Sequence, residues 1–166
     1  MMSLNRAVET AIKMETDAMK FYRDAVKKTS HPLGKKLFQG FVTDEVRHLK
    51  MLQQIMDNLD IEITNIDPKE TIKTIFTELK DEMMSRITAS TDEKEAVKIA
   101  LDFEKNGYHF YEKSASEAPE GKEKELFEVL AREEKQHYEL LENTHRFLDN
   151  TGEWFMWEEH GMLEGG

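Results

Sequence analysis

The 166-residue chain contains no cysteine. Disulfides, zinc–thiolate sites, cysteine nucleophiles and thiolate-held iron are excluded from it on that ground alone. It lacks any run of about 18 apolar residues, and its first residues lack the apolar stretch of an export signal. No membrane span is expected, and the expected location is cytoplasmic. Basic residues are in the minority, with 23 Lys and Arg against 34 Asp and Glu and a formal net charge of −11. General binding to nucleic acid or to a membrane surface would need the opposite balance, because phosphate contacts are made by Lys and Arg. Helix breakers are few, with 3 prolines and 8 glycines. Set against abundant Glu, Lys, Leu and Met, that scarcity predicts long helices.

What the chain does contain is a motif with a twin. Glu45-x-x-His48 is followed 89 residues later by Glu134-x-x-His137. With about one residue in seven Glu and six His, a single Glu-x-x-His is expected about once by chance. Glu142-x-x-His145 reads as that chance match, since the positions 89 residues before it are Gln53 and Met56. The twins carry more. Each is preceded by Glu-x6-Tyr at the same offset, Glu15 with Tyr22 and Glu104 with Tyr111. Residues 6–22 align without gaps on 95–111, and 37–52 on 126–141, so a helical hairpin is repeated.

Apolar periodicity supports the hairpins. Val8, Ala11, Ile12, Glu15, Ala18, Met19 and Tyr22 recur at three- and four-residue steps, which predicts a helix from a Ser3 cap to about Lys28. A second helix is expected over about 33–59, with Glu45 and His48 inside its apolar stripe. Asp67-Pro68 should open a helix marked by Ile72, Ile75, Phe76, Leu79, Met83 and Ile87, part of a crossover along the bundle. Thr91 or Asp92 should cap a third helix to about Glu117, and a fourth should span about 122–149. The expectation is one all-α domain over 1–150, a four-helix bundle of hairpins 3–60 and 92–150 joined by a long helical crossover, 61–91. Residues 151–166 form an aromatic tail. Its Trp154, Phe155, Met156 and Trp157 should plug the bundle or meet a second subunit, which points to a homodimer.

Residues three apart share a helix face, so each Glu-x-x-His aims two groups at one point. Each hairpin turn falls midway between its first Glu and its Glu-x-x-His, which brings those groups level in antiparallel helices. Glu15, Glu45, His48, Glu104, Glu134 and His137 should therefore form one layer of the core. Four ionised carboxylates there are prohibitive uncompensated, and two divalent cations would neutralise them. Mixed carboxylate and imidazole groups suit iron or manganese, and zinc would also bind. Tyr22 and Tyr111 are the candidate catalytic side chains, each placed to hydrogen-bond a ligating carboxylate.

This pattern of ligands resembles the ferritin-like di-iron carboxylate superfamily. Glu-x6-Tyr followed by Glu-x-x-His, twice, around a long middle connection, is similar to the erythrin domain of rubrerythrins, over about residues 4–150. The resemblance implies two iron ions bridged by Glu45 and Glu134, one His on each iron, and Glu15 and Glu104 completing the set. It implies reduction of hydrogen peroxide or dioxygen. Iron sequestration with ferroxidase activity, a non-catalytic metal-binding bundle and manganese-dependent peroxide disproportionation are the alternatives. Two departures matter. Rubrerythrins carry a cysteine-held iron domain as electron donor, so this cysteine-free chain would need an external donor protein such as a rubredoxin. Many also have a further carboxylate three residues after the third-helix Glu, where this chain has Gly107, with Ala18 as its repeat mate. Small residues at both positions should leave an opening beside the metals.

Overall fold

The computed structural model describes residues 3–68, 70–71, 74 and 87–154. Four long helices make the frame: α1 (Leu4–Lys28), α2 (Pro32–Met56), α3 (Thr91–Glu117) and α4 (Lys122–Thr151). The fold is an all-α four-helix bundle.

The ends of the helices are set by local chemistry. Ser3 caps α1 as expected, its side chain accepting from the Arg6 amide. At α2 the cap is His31, whose Nδ1 accepts from the Leu33 amide at 3.0 Å, with Pro32 in the first turn. The cap of α3 comes earlier than the expected Thr91 or Asp92. Ser90 holds that position, because it and Glu93 satisfy one another's amides as a reciprocal box, at 3.0 and 2.8 Å. The second Glu93 oxygen accepts from the Ser30 amide at 2.8 Å, so the start of α3 is fastened to the end of α1. At the same end of the molecule, α4 stops at Gly152, which takes the left-handed φ of 73° and returns its amide to the Leu148 carbonyl, while its own carbonyl accepts from the Ala89 amide ahead of α3.

The helix α2 ends at Met56 rather than near residue 59, and the chain then crosses the face shared by α2 and α4 as an extended strap. Lys122 donates to the Ile61 carbonyl, and Arg47 donates to the carbonyl and hydroxyl of Thr64, which pin the strap from both hairpins. Asp67 and Pro68 then open a helical turn, with the Glu70 and Thr71 amides on the Asp67 carbonyl. The remaining apolar positions expected in that helix, Ile72 to Met83, lie outside the described residues. Ile87 does not belong to it. Ile87 and Thr88, both β-branched, form β1 and pair antiparallel with β2 (Glu153–Trp154), so the chain before α3 is tied to the chain after α4. Residues 155–166 of the expected tail lie outside the described residues.

Within each hairpin the helices pack closely, α1 on α2 and α3 on α4, while contact between the hairpins is sparser. The helices α1 and α3 run antiparallel, since the end of α1 meets the start of α3. The core divides into two apolar clusters. One gathers Tyr22, Phe38, Val97 and Leu141, the other Val8, Leu52, Tyr111 and Phe127. Repeat symmetry relates them: Tyr22 stacks on Phe38 in the first as Tyr111 stacks on Phe127 in the second, at 5.9 and 6.2 Å. Between the two lies a polar layer.

Candidate metal centre

All six residues singled out by the repeat lie in that layer. Glu15 comes from α1, Glu45 and His48 from α2, Glu104 from α3, and Glu134 and His137 from α4, each at most 3 % exposed. They fall into two overlapping sets, Glu15, Glu45, His48 and Glu134, and Glu45, Glu104, Glu134 and His137. Within each set, one ligand atom per residue lies within 4.8 Å of all the others. Glu45 and Glu134 belong to both. The two imidazole rings stand 6.4 Å apart, one at each end of the layer.

Hydrogen bonding leaves one atom of each residue over. Glu15 Oε2, Glu45 Oε1, His48 Nδ1, Glu104 Oε2, Glu134 Oε1 and His137 Nδ1 are buried and make no well-aligned hydrogen bond, although they crowd one another, with His48 Nδ1 3.1 Å from Glu134 Oε1 and His137 Nδ1 3.5 Å from Glu45 Oε1. Such atoms are few in native interiors, where burying an unmatched polar group costs about 1–3 kcal/mol. Six together, one per predicted ligand, make a set of donors that divalent cations would satisfy. The donor chemistry fits iron, manganese or zinc, and four carboxylates match the charge of two such ions.

The remaining atoms are held by an outer ring of contacts that exchanges partners between the hairpins. The Tyr22 hydroxyl donates to Glu104 Oε1 at 2.5 Å, and the Tyr111 hydroxyl donates to Glu15 Oε1 at 2.6 Å. Each phenol therefore serves the other hairpin's carboxylate rather than the one on its own helix. Burial and the neighbouring carboxylates push both phenols well above the usual tyrosine range, so they remain neutral donors. The histidines are held likewise. His48 Nε2 lies 3.0 Å from Glu133 Oε1, and His137 Nε2 lies 2.8 Å from Asp44 Oδ2. An ionised carboxylate only accepts, so each ring donates its Nε2 proton outward and turns Nδ1 toward the layer.

Asp44 and Glu133 are absent from the sequence-derived set. The sequence does carry a signal for them: an acid stands immediately before each Glu of the twin motif, and these two also keep the 89-residue offset. They fall outside the set because neighbours in sequence point 100° apart on a helix, so neither belongs to the inward stripe. Each instead faces the adjacent helix of the other hairpin. Glu133 is further bound by Arg47 and by the Ile66 amide of the strap. His48 and Arg47 hold its carboxyl below the usual range against the opposing effect of burial.

Burial would depress both imidazoles, but carboxylates overcome it. Glu15 and Glu133 raise His48 to about 10, and Glu104 and Asp44 raise His137 well above the ordinary histidine range. Burial and repulsion from Glu104 and Glu15 push Glu134 well above the carboxylate range. Glu104 moves down in spite of its burial, drawn by His137 and hydrogen bonding.

The expected opening is present. A cavity of about 370 Å³ lies between α1 and α3, lined by Ala18 and Gly107 and floored by Glu15, Glu45, Glu104 and Glu134. By contrast, Glu142 and His145 stand apart from the layer. Glu142 accepts from Tyr138 and Arg146, and His145 faces Asp149 at 3.4 Å. Among the described residues, no helix is long and apolar enough to cross a membrane.

The family model for rubrerythrin matches residues 7–145, and the chain belongs to that family. No curated protein and no solved structure matches the chain.

Proposed function

We propose that this rubrerythrin-family chain holds two iron ions in the six-residue layer and reduces hydrogen peroxide or dioxygen. The observation that carries the reading is the set of six buried atoms without a well-aligned hydrogen bond, one from each residue of the duplicated motif. Glu45 and Glu134, common to both candidate sets, would be shared between the metals. His48 with Glu15 would complete one set, and His137 with Glu104 the other. When bound, the metals would supply Lewis acidity and the electrons for cleavage of the O–O bond.

The chain's own residues define the rest. Tyr22 and Tyr111 fix the carboxylates of Glu104 and Glu15, and Asp44 and Glu133 fix the imidazoles, so the ligand atoms need little rearrangement to meet a cation. The two apolar clusters close the layer above and below. Access is left on the α1–α3 face, where Ala18 and Gly107 keep the space over the carboxylates open. Reducing equivalents would come from a donor outside these 166 residues, such as a rubredoxin, because the chain has no cysteine to hold an iron–thiolate centre.

Rapid mixing of the ferrous-loaded protein with hydrogen peroxide tests this. Oxidation should outpace that of aqueous ferrous ion under the same conditions. Equal rates would overturn the peroxide reading.

A further inference from the structure

The cavity between α1 and α3 is far larger than hydrogen peroxide requires. The half-open cavity holds about 370 Å³, of which the ions proposed for its floor would take a part, whereas a water molecule occupies roughly 30 Å³ of the liquid. Pockets of roughly 300–1,000 Å³ are the size that holds small organic ligands. Floor and walls also differ in kind. Four carboxylates line the floor, while Met14 and Ala18 on α1 and Ile99, Phe103 and Gly107 on α3 contribute apolar wall. Apolar surface of this extent beside a polar centre does nothing for a molecule as small and polar as hydrogen peroxide. It suits a ligand with a polar end and a compact apolar body.

We propose that this cavity receives the organic group of a small neutral alkyl hydroperoxide, which makes alkyl hydroperoxides a second substrate class of the same centre. The assignment rests on the peroxide-reducing reading above and extends it. The hydroperoxide group would lie over the carboxylate floor and the alkyl or aryl body against Met14, Ile99 and Phe103. Asp17 and Asp102 also line the cavity. Asp102, and Asp17 in its pair with Lys13, disfavour a substrate that carries a carboxylate of its own, such as a fatty-acid hydroperoxide. Reduction takes up two electrons and two protons, breaks the O–O bond and releases one alcohol and one water. The electrons would be supplied by the reduced metals when bound, and renewed by the same external donor.

Ala18 is the position that decides the fit. At its repeat mate Gly107 an added Cβ would make ordinary contact with Glu134 Oε2 at 3.5 Å, so a side chain longer than alanine there would reach a proposed ligand. Bulk at Ala18 would fill the cavity from the opposite wall. The zinc-substituted full chain, which cannot turn over, is titrated with 2-phenyl-2-propanol, the alcohol released from cumene hydroperoxide. Binding is followed through the methyl resonance of Met14. A saturable shift is expected, abolished in Ala18→Leu at unchanged zinc content. Should that variant misfold, Ile99→Trp narrows the cavity from a partly exposed wall position and is expected to weaken binding at least tenfold. Ferrous-loaded Ala18→Leu should lose at least tenfold in its rate with cumene hydroperoxide relative to its rate with hydrogen peroxide. No saturable shift in the parent chain, or a shift untouched by both variants, overturns the assignment whatever the reaction with hydrogen peroxide. Equal loss with both peroxides overturns it too. Alcohol binding without any peroxide reaction would instead retain the cavity assignment and overturn the function it extends.

Discussion

Tyr22 and Glu104 are 82 residues apart in the chain, yet the phenol of one donates to the carboxylate of the other at 2.5 Å. The repeat makes a second bond of the same kind, Tyr111 to Glu15 at 2.6 Å. Both run between hairpins, where direct helix contact is sparse. A hydroxyl that orients a carboxylate of the polar layer thus also fastens the two halves of the bundle. It does so in a dry interior, where a bond to an ionised group counts for more than at the surface.

Tyr22→Phe removes that donor with little change of shape and leaves Glu104 Oε1 short of a partner. A loss of about 1–3 kcal/mol is expected, the usual consequence of stranding a buried acceptor. Tyr111→Phe should behave alike, by repeat symmetry. Chemical denaturation of the metal-free variants measures both. A loss under 0.5 kcal/mol, on the order of an ordinary surface change, would show that the bonds do not bear on hairpin association.

Glu45 and Glu134 are each common to both ligand sets, whereas Glu15 and Glu104 each belong to one. Replacing Glu45 or Glu134 by Ala should therefore abolish tight binding of one metal or both. Glu142→Ala and His145→Ala should leave metal content unchanged, since those side chains bond along α4 and not into the layer. Elemental analysis of the purified variants decides. Two tightly held metals in Glu134→Ala would refute the shared-ligand assignment.

The duplication is why so much of the centre is legible in the sequence. A buried Glu in an apolar stripe means little alone, but the same defect in two places at one spacing means a shared layer. Ala18 and Gly107 are legible in the same way, as a pair of small residues over that layer. The parts that escape depend on contact between helices. Which phenol meets which carboxylate follows from the antiparallel pairing of α1 with α3, and no period within one helix encodes that pairing. Asp44 and Glu133 escape for the same reason. Ser90 does not stand out because Thr91 and Asp92 are equally good cap residues by type. Only the reciprocal bond with Glu93 separates them. The strand at Ile87 needs a partner near the end of α4, Trp154, to exist at all.

Asp44→Asn and Glu133→Gln test the outer contacts. Each substitution keeps shape but removes the charge that anchors an imidazole, and changes of this type commonly cost about 10–100-fold in metal affinity. The two positions should differ. Glu133 is also bound by Arg47 and the Ile66 amide, so its replacement should additionally loosen the strap. Competition with a chelator measures the affinity, and protection of the Ile66 amide from hydrogen exchange reports the strap. Unchanged affinity in both variants would show that the imidazoles are oriented by packing alone.

In metal-free protein at pH 7, His48, raised to about 10 by Glu15 and Glu133, is protonated, and the carboxylates around His137 and the burial of Glu134 shift those two groups upward as well. A ligand nitrogen or carboxylate must shed its proton to bind a cation, so metal uptake should acidify the medium. Apparent affinity should rise with pH through neutrality and flatten only toward about 10, where His48 titrates unaided. The stability of the metal-free chain should follow the opposite course. A folded pKa raised above the unfolded value stabilises at low pH, and that contribution fades as pH climbs from 6.5 toward about 10. An indicator-dye titration with zinc in weak buffer counts the protons. Uptake without proton release would contradict the charge assignment.

Gly107 supplies the last test, because packing and access make different demands on it. If the glycine served close packing, an added Cβ would clash. It would instead meet the Glu134 carboxylate at 3.5 Å, an ordinary contact. Gly107→Ala should therefore fold, keep its metals and gain about 0.5–1 kcal/mol from the helix preference of alanine over glycine. Gly107→Glu carries a carboxylate into the cavity over the layer. It should occupy the space over the four carboxylates, add a ligand and slow the reaction with hydrogen peroxide. Thermal unfolding, metal content and rapid mixing separate the cases. If alanine destabilises the chain or displaces metal, the glycine is there for packing. If glutamate leaves the peroxide rate unchanged, the α1–α3 opening is not the route to the centre.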